Sequence, residues 1–112
     1  MQSDDRIRIR HMIEAAETAI SFTAGRGRSD LDTDRMLLFA LVRAVEIVGE
    51  AASRLSEDAR SELSDVPWRQ IVAMRNRLIH AYFDISPDVV WKAATEEIPP
   101  LLERLRAVPL DD

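Results

Sequence analysis

Cysteine is absent from this chain of 112 residues. Its absence excludes a disulfide framework and a thiolate metal site, and it fits a reducing compartment. No segment approaches the roughly 18 consecutive apolar residues that a membrane span requires, and no positively charged and then apolar leader opens the chain. We therefore expect a cytoplasmic protein with a single domain over residues 1–112, large enough to bury a modest core.

Basic residues are fewer than acidic ones, 15 against 20, which gives a formal net charge of −5. General binding to a nucleic-acid backbone depends on clustered positive charge, so this balance disfavours a nucleic-acid coat protein and requires any such site to be local. Lysine occurs only at position 92, and arginine supplies the other basic side chains. A codon bias explains that preference as well as phosphate recognition does.

Strand-like alternation with a period of two is also missing, whereas apolar residues recur at helical spacing in four segments. The first predicted helix covers residues 4–24. The second, expected to be the longest, covers about residues 32–55, with Asp32 or Thr33 as its N-cap. The segment 25–30 between them is predicted to be an ordinary interhelical loop, because it lacks the Walker spacing and follows no strand.

The second half of the chain carries clear helix starts. After at most a short helical turn at residues 57–63, a third helix is predicted from Pro67, where a missing N–H does no harm, to a frayed end near Phe83. The fourth begins with Ser86 as cap and Pro87 at its first position, and Pro99-Pro100 should bend or divide it. The sequence predicts an all-α, up-and-down bundle of four main helices.

One face of the second helix is unusual for a solvent-facing surface, because it combines Glu46, Gly49 and Glu50 with apolar residues. Glycine costs a helix interior roughly 1 kcal/mol relative to alanine. Either Gly49 is a tolerated residue on an exposed surface, or another helix approaches closely there. In the second case this face meets the third helix or another subunit, and Glu46 or Glu50 orients an arginine.

The densest polar chemistry lies at residues 74–83, which contain Arg75, Asn76, Arg77, His80 and the single tyrosine, Tyr82. An arginine side chain stays charged at any working pH and offers a planar fork of donors, and a histidine exchanges protons near neutral pH. These residue types together are suited to handling a phosphate group.

Helical geometry separates the two most reactive of these side chains. On a helix that turns about 100° per residue, Arg75 lies within an apolar stripe, and His80 lies about 140° away on the face of Arg69, Asn76 and Arg77. A charge centred on an apolar face needs a carboxylate partner or a phosphate ligand. Arg75 and His80 can serve one site only if the helix ends or bends near His80, or if a second copy of the chain supplies one of them.

The run from Arg75 to Tyr82 resembles the signature of HepT-like proteins, which is arginine, four residues, histidine, one residue and tyrosine. HepT-like proteins belong to the HEPN group of small helical ribonucleases. The resemblance extends to residues 43–51, to Val66-Pro67-Trp68 and to Val90-Trp91. It therefore touches most of the chain.

The resemblance implies a metal-independent endoribonuclease of a toxin–antitoxin system, without a cofactor, that cleaves RNA at a homodimer cleft. By the same resemblance, Arg75 stabilises charge on the phosphoryl oxygens and His80 is the general acid or base. Asn76 fixes the histidine ring or contacts the phosphate. Arg69 and Arg77 add local positive charge despite the acidic total.

Tyr82 has a separate implied role, as the hydroxyl to which a cognate nucleotidyltransferase antitoxin adds AMP units and so blocks the cleft. The alternative is a core tyrosine with its hydroxyl at the boundary, because Tyr82 also falls on the apolar side of the helix. A different function also stays open for the whole chain. It would be a catalytically inactive helical module that dimerises, binds a nucleotide and only docks the nucleotidyltransferase.

Overall fold

The computed structural model describes residues 1–80 and 85–110 and, for Ile79 and His80, the helical backbone only. Within these ranges the chain is all-α and forms an up-and-down bundle, as predicted. The helices are α1 (Ser3–Thr23), α2 (Asp30–Thr33), α3 (Arg35–Ser53), α4 (Glu57–Glu62), α5 (Trp68–His80), α6 (Pro87–Lys92) and α7 (Ile98–Arg106), with a π-helical segment (Ala93–Glu97) joining α6 to α7.

The centre of the bundle is α3, which packs on α1 along one side and on α5 along another. The π-helical segment and α7 also lie against α1. Each large apolar side chain that becomes fully buried contributes roughly 1.5–3 kcal/mol to folding. The largest fully buried side chains are Ile9, Met12, Leu41, Val45, Val48, Val90, Ile98 and Leu105.

The start of α3 differs from the prediction. Its N-cap is Asp34 rather than Asp32 or Thr33, and the carboxylate of Asp34 accepts a hydrogen bond of 3.0 Å from the backbone N–H of Leu37. This bond is the main cause of the lowered pKa of Asp34. Residues 30–33 form the separate helix α2, so α3 has 19 residues and α1, with 21, is longer.

The last helix confirms the predicted start and bend. Ser86 caps α6 by accepting from the backbone N–H of Val89, and Pro87 occupies the first turn. The π-helical segment then precedes Pro99 and Pro100, which lie at the start of α7. A proline inside an α-helix lacks one hydrogen bond and its ring clashes with the carbonyl four residues earlier, so a wider turn before the prolines relieves that conflict.

A buried carboxylate ties the first helix to the connection between α3 and α4. Asp5 in α1 is only 4% exposed. Its two oxygens accept hydrogen bonds from the backbone N–H of Ser56 at 2.9 Å and from the Ser56 hydroxyl at 2.7 Å. The same hydroxyl accepts from the N–H of Ala59 and so caps α4. The Ser56 hydroxyl bond, followed by the backbone bond, lowers the pKa of Asp5.

We expect Asp5→Asn to lower the free energy of unfolding by about 1–3 kcal/mol, the usual effect of disrupting a buried charged hydrogen bond. Because the folded pKa of Asp5 is lowered, its stabilising effect is full above the unfolded pKa of about 4 and disappears as the pH falls through the folded value. Urea denaturation of both proteins at pH 7 and at pH 3 measures this. The exposed neighbour provides the control variant, Asp4→Asn, and equal losses in the two variants would contradict the assignment.

Candidate functional site

The candidate site is built where α3 and α5 touch, and the contact is centred on Gly49. This glycine is buried, and a Cβ atom placed on it would lie 2.1 Å from the Cβ and 2.7 Å from the Cγ of Arg75. Carbon atoms without a bond between them pack at about 3.5–4.0 Å. The close helix approach predicted at Gly49 is therefore confirmed, and of the two partners considered, the third predicted helix and another subunit, the one in contact is the third helix, α5, through Arg75.

Arg75 is half-buried against this contact and has a polar environment that is incomplete. Its Nη1 donates to the Oδ1 of Asn76 at 3.0 Å, and its buried Nε has no hydrogen-bond partner among the residues that the structure describes. No carboxylate in residues 1–80 or 85–110 forms an ion pair with it. Of the two partners expected for this charge, a carboxylate and a phosphate, the described part of the protein supplies no carboxylate.

Glu46 and Glu50 orient an arginine, but that arginine is Arg43 of their own helix. The Nη1 atom of Arg43 lies 3.5 Å from the Oε2 of Glu46 and 3.2 Å from the Oε1 of Glu50. The side chains of the two acids are only 20% and 31% exposed, whereas that of Arg43 is 60% exposed. One outward-facing guanidinium thus holds two half-buried carboxylates.

The other predicted basic residues of α5 are exposed, and they lie on different flanks of the helix. Arg77 lines a cleft of about 630 Å³ between α5 and the last helix, whose floor includes Ile71 and Leu101. Arg69 is not part of that cleft. By the helical geometry of about 100° per residue, Arg69 shares the flank of Asn76. The structure therefore brings Arg75 and Asn76 together and places Arg77 toward the other side of α5.

The side chains of the second half of the signature lie outside the described residues. The backbone of His80 forms the end of α5, but its side chain is not described, and Tyr82 lies in the undescribed segment 81–84.

The described residues contain no group of three or more His, Cys, Asp or Glu side chains able to hold a metal ion. Across the same residues, no helix has the length and apolar character needed to cross a membrane.

Sequence reasoning did not assign a role to Arg43, although a local pattern indicated one. Arg43, Glu46 and Glu50 are separated by three and four residues, and side chains at these spacings are neighbours on a helix. The α5 signature instead favoured an acid of α3 that orients an arginine across the helix interface. The arginine that the two acids contact is Arg43, in their own helix.

Comparison with known proteins supports the family resemblance. The model of a family described as "Ribonuclease HepT-like" matches residues 12–108, most of the chain. This chain belongs to the HepT-like ribonuclease family. The match spans every main helix, from the middle of α1 to the end of α7.

Named relatives of this HepT-like chain come from several microorganisms. A protein of Thermococcus cleftensis named "Probable ribonuclease HepT" is 40% identical over 96 residues, which cover 83% of this chain and 87% of the relative. A protein of Methanocaldococcus jannaschii named "Putative RNase MJ1380" is 34% identical over 97 residues, covering 87% and 89%. No solved structure gives a significant match to this HepT-like chain.

We expect Gly49→Ala to destabilise the protein by about 1–3 kcal/mol, as overpacking of a tight contact does. The added Cβ would meet the Cβ of Arg75, which cannot move without the α5 backbone. The matched control is Gly27→Ala, since nothing lies within 4 Å of a Cβ at position 27. Urea denaturation midpoints measure both, and equal midpoints for the two variants would refute the close contact.

Proposed function

We propose that this HepT-like chain is a metal-independent endoribonuclease and the toxin of a toxin–antitoxin pair. The observation that carries the proposal is Arg75, a half-buried arginine that has, among the described residues, neither a hydrogen-bond partner for its Nε nor a carboxylate to neutralise its charge. Burying a charge is costly unless a counter-charge accompanies it. An anionic ligand such as an RNA phosphate meets that need, and the ribonuclease family to which the chain belongs provides the substrate class.

The proposed reaction is attack of a ribose 2′-hydroxyl on the adjacent phosphate. The 2′-oxygen loses its proton to a base and bonds to phosphorus, while the 5′-oxygen takes a proton from an acid and leaves. The products are a 2′,3′-cyclic phosphate and a free 5′-hydroxyl. His80 is the candidate proton carrier because its unperturbed pKa is about 6.5, and Arg75 neutralises charge that builds up on the phosphoryl oxygens.

A homodimer supports this chemistry because one histidine does not readily act as both acid and base in the same turnover. A second copy would supply the second imidazole and would close the angular gap between Arg75 and His80 on a single α5. The exposed side of α3 offers apolar surface for such pairing, since Phe39 is 50% exposed and Met36 is 81% exposed. Met36 and Phe39 are three residues apart and so are neighbours on α3, and exposed apolar side chains that are grouped in this way are typical of association surfaces.

Regulation by modification is part of the same proposal. A cognate nucleotidyltransferase antitoxin would transfer AMP from ATP to the hydroxyl of Tyr82, with release of pyrophosphate. Tyr82 follows His80 by two residues, so each added nucleotide would occupy the entrance to the proposed cleft and bring negative charge near Arg75. Both effects would exclude the phosphate of an RNA substrate.

We expect His80→Ala and Arg75→Ala each to lower RNA cleavage by about 100-fold or more, in line with losing a general acid–base group or a charge stabiliser. Cleavage of an unstructured RNA by the purified protein measures this. Sedimentation at micromolar concentration should show a dimer for the wild type and both variants. The control variant is Arg26→Ala, because Arg26 lies in the loop before α2 and pairs only with Asp34 among the described residues.

The same experiment separates the ribonuclease from an inactive docking module. If wild type and His80→Ala behave alike toward RNA, the nuclease proposal fails. A chain that binds the nucleotidyltransferase but cleaves no RNA would then be the module. A monomeric wild type would count against both functions, and unfolding of Arg75→Ala would make Arg75 a structural residue.

For the modification, we expect incubation with the nucleotidyltransferase and ATP to add one or more AMP masses to the wild type and none to Tyr82→Phe. Mass spectrometry of the intact protein and of its tryptic peptides measures this. The modified wild type should lose RNA cleavage, whereas treated Tyr82→Phe should retain the activity of its untreated form. Adenylylation at another residue, or a modified protein that is still active, would refute the assignment.

A further inference from the structure

We infer that Arg43 is a positioning residue, which holds the carboxylates of Glu46 and Glu50 away from Arg75 and so keeps Arg75 available to a phosphate. The inference rests on the proposed function. Arg43 lies outside the α5 signature, and its contacts in the structure are with the two acids. Its role would therefore be exerted on Arg75 through Glu46 and Glu50.

The two acids lie within reach of Arg75 because they flank the glycine that touches it. Gly49 is in contact with Arg75. Glu50 is the next residue, and Glu46 lies about 4.5 Å earlier along the axis of α3, since a helix rises about 1.5 Å per residue. By angle, both acids lie within about 100° of Gly49, on the same flank of α3. A flexible arginine side chain spans such a separation.

The competition between the two arginines has a physical basis. Two carboxylates four residues apart on a helix repel each other, and these two are 20% and 31% exposed, so their charges are only partly screened by water. Arg43 satisfies both at once from the solvent side. Without it, Glu50 still shares a cavity with Arg8 and Arg54, whereas the arginine across the contact of α3 with α5 is Arg75, whose buried Nε has no hydrogen-bond partner among the described residues.

An ion pair of Arg75 with either acid would stabilise the folded chain but would weaken the site. A guanidinium already neutralised by a carboxylate has less charge to offer a phosphate, and breaking the pair adds to the cost of binding. By pairing with both acids itself, Arg43 leaves the charge of Arg75 available to bind a phosphate. The carboxylates of Glu46 and Glu50 are thus already paired within α3 before a substrate binds.

The test is the variant Arg43→Gln, assayed for RNA cleavage together with Arg43→Gln/Glu46→Gln/Glu50→Gln. We expect the single variant to raise KM by about tenfold or more, as for the loss of a charge-assisted hydrogen bond to phosphate. We expect the triple variant to recover most of that loss. Arg106→Gln is the control, since it removes the same charge from an exposed ion pair with Glu17, away from the contact of α3 with α5.

The rescue distinguishes positioning from direct contact. If Arg43 itself bound RNA, removing the two acids would lower KM in Arg43→Gln only as much as Glu46→Gln/Glu50→Gln lowers it in a chain that keeps Arg43, and that result would overturn the inference. An unchanged KM in Arg43→Gln would overturn it as well.

A crystal structure of Arg43→Gln gives a readout that does not depend on activity. We expect the guanidinium of Arg75 within about 4 Å of Glu46 or Glu50, the distance of an ion pair. Retention of the Asn76 contact with no new carboxylate neighbour would overturn the inference. If the wild type cleaves no RNA, the proposed function fails, and the crystal structure still decides whether Arg43 restrains the two acids.

Discussion

The absence of one methyl group at Gly49 sets the distance between α3 and α5. Any side chain there would overlap with the Cβ of Arg75, so the helix pair could not close to its present separation. The beginning of α5 is fixed independently, because the indole N–H of Trp68 donates to the carbonyl of Leu63 at 3.0 Å. With its start fixed and its middle pressed against Gly49, α5 has little freedom to rotate. The direction in which Arg75 leaves the helix follows from these two constraints.

Arg75 differs from most of the other arginines in what it contacts. Arg104 pairs with Asp65 and Arg106 with Glu17, contacts that join distant parts of the chain and are worth little individually at an exposed surface. Arg60 also has a buried Nε without a partner among the described residues, but its Nη2 donates to two carbonyls in the last turn of α3, which is a structural role. Arg75 has only the amide oxygen of Asn76 among described residues. This contrast makes it the candidate for binding an external anion.

The features that could be predicted from the sequence are those determined by local chemistry. The caps at Ser86 and Pro87 depend on residues within one turn, and apolar spacing was enough to place the four main helices. Gly49 was informative because a glycine within a helix is costly without a compensating contact. The predicted position of Arg75 within an apolar stripe agrees with its contact with α3, whereas the side chain of His80 lies outside the described residues.

Two kinds of feature could not be predicted from the sequence: which of several suitable adjacent residues caps a helix, and which residues far apart in the chain are in contact. Asp32, Thr33 and Asp34 are all good N-cap residues, and only the turn of α2 decides that Asp34 serves. The contact of Asp5 with Ser56 spans 51 residues, so no local pattern reveals it.

The π-helical segment before the two prolines has a consequence for how the last helix tolerates changes in length. A π turn behaves as an α-helical turn carrying one inserted residue, so it resets the rotational phase of everything that follows. Deleting one residue from Ala93–Glu97 would restore a regular helix but would rotate the apolar side of α7 by about 100° relative to α6. Leu101, Leu102 and Leu105, all buried, would then turn out of register with the core. The number of residues before α7, as much as their identity, therefore determines which side of α7 packs against the core.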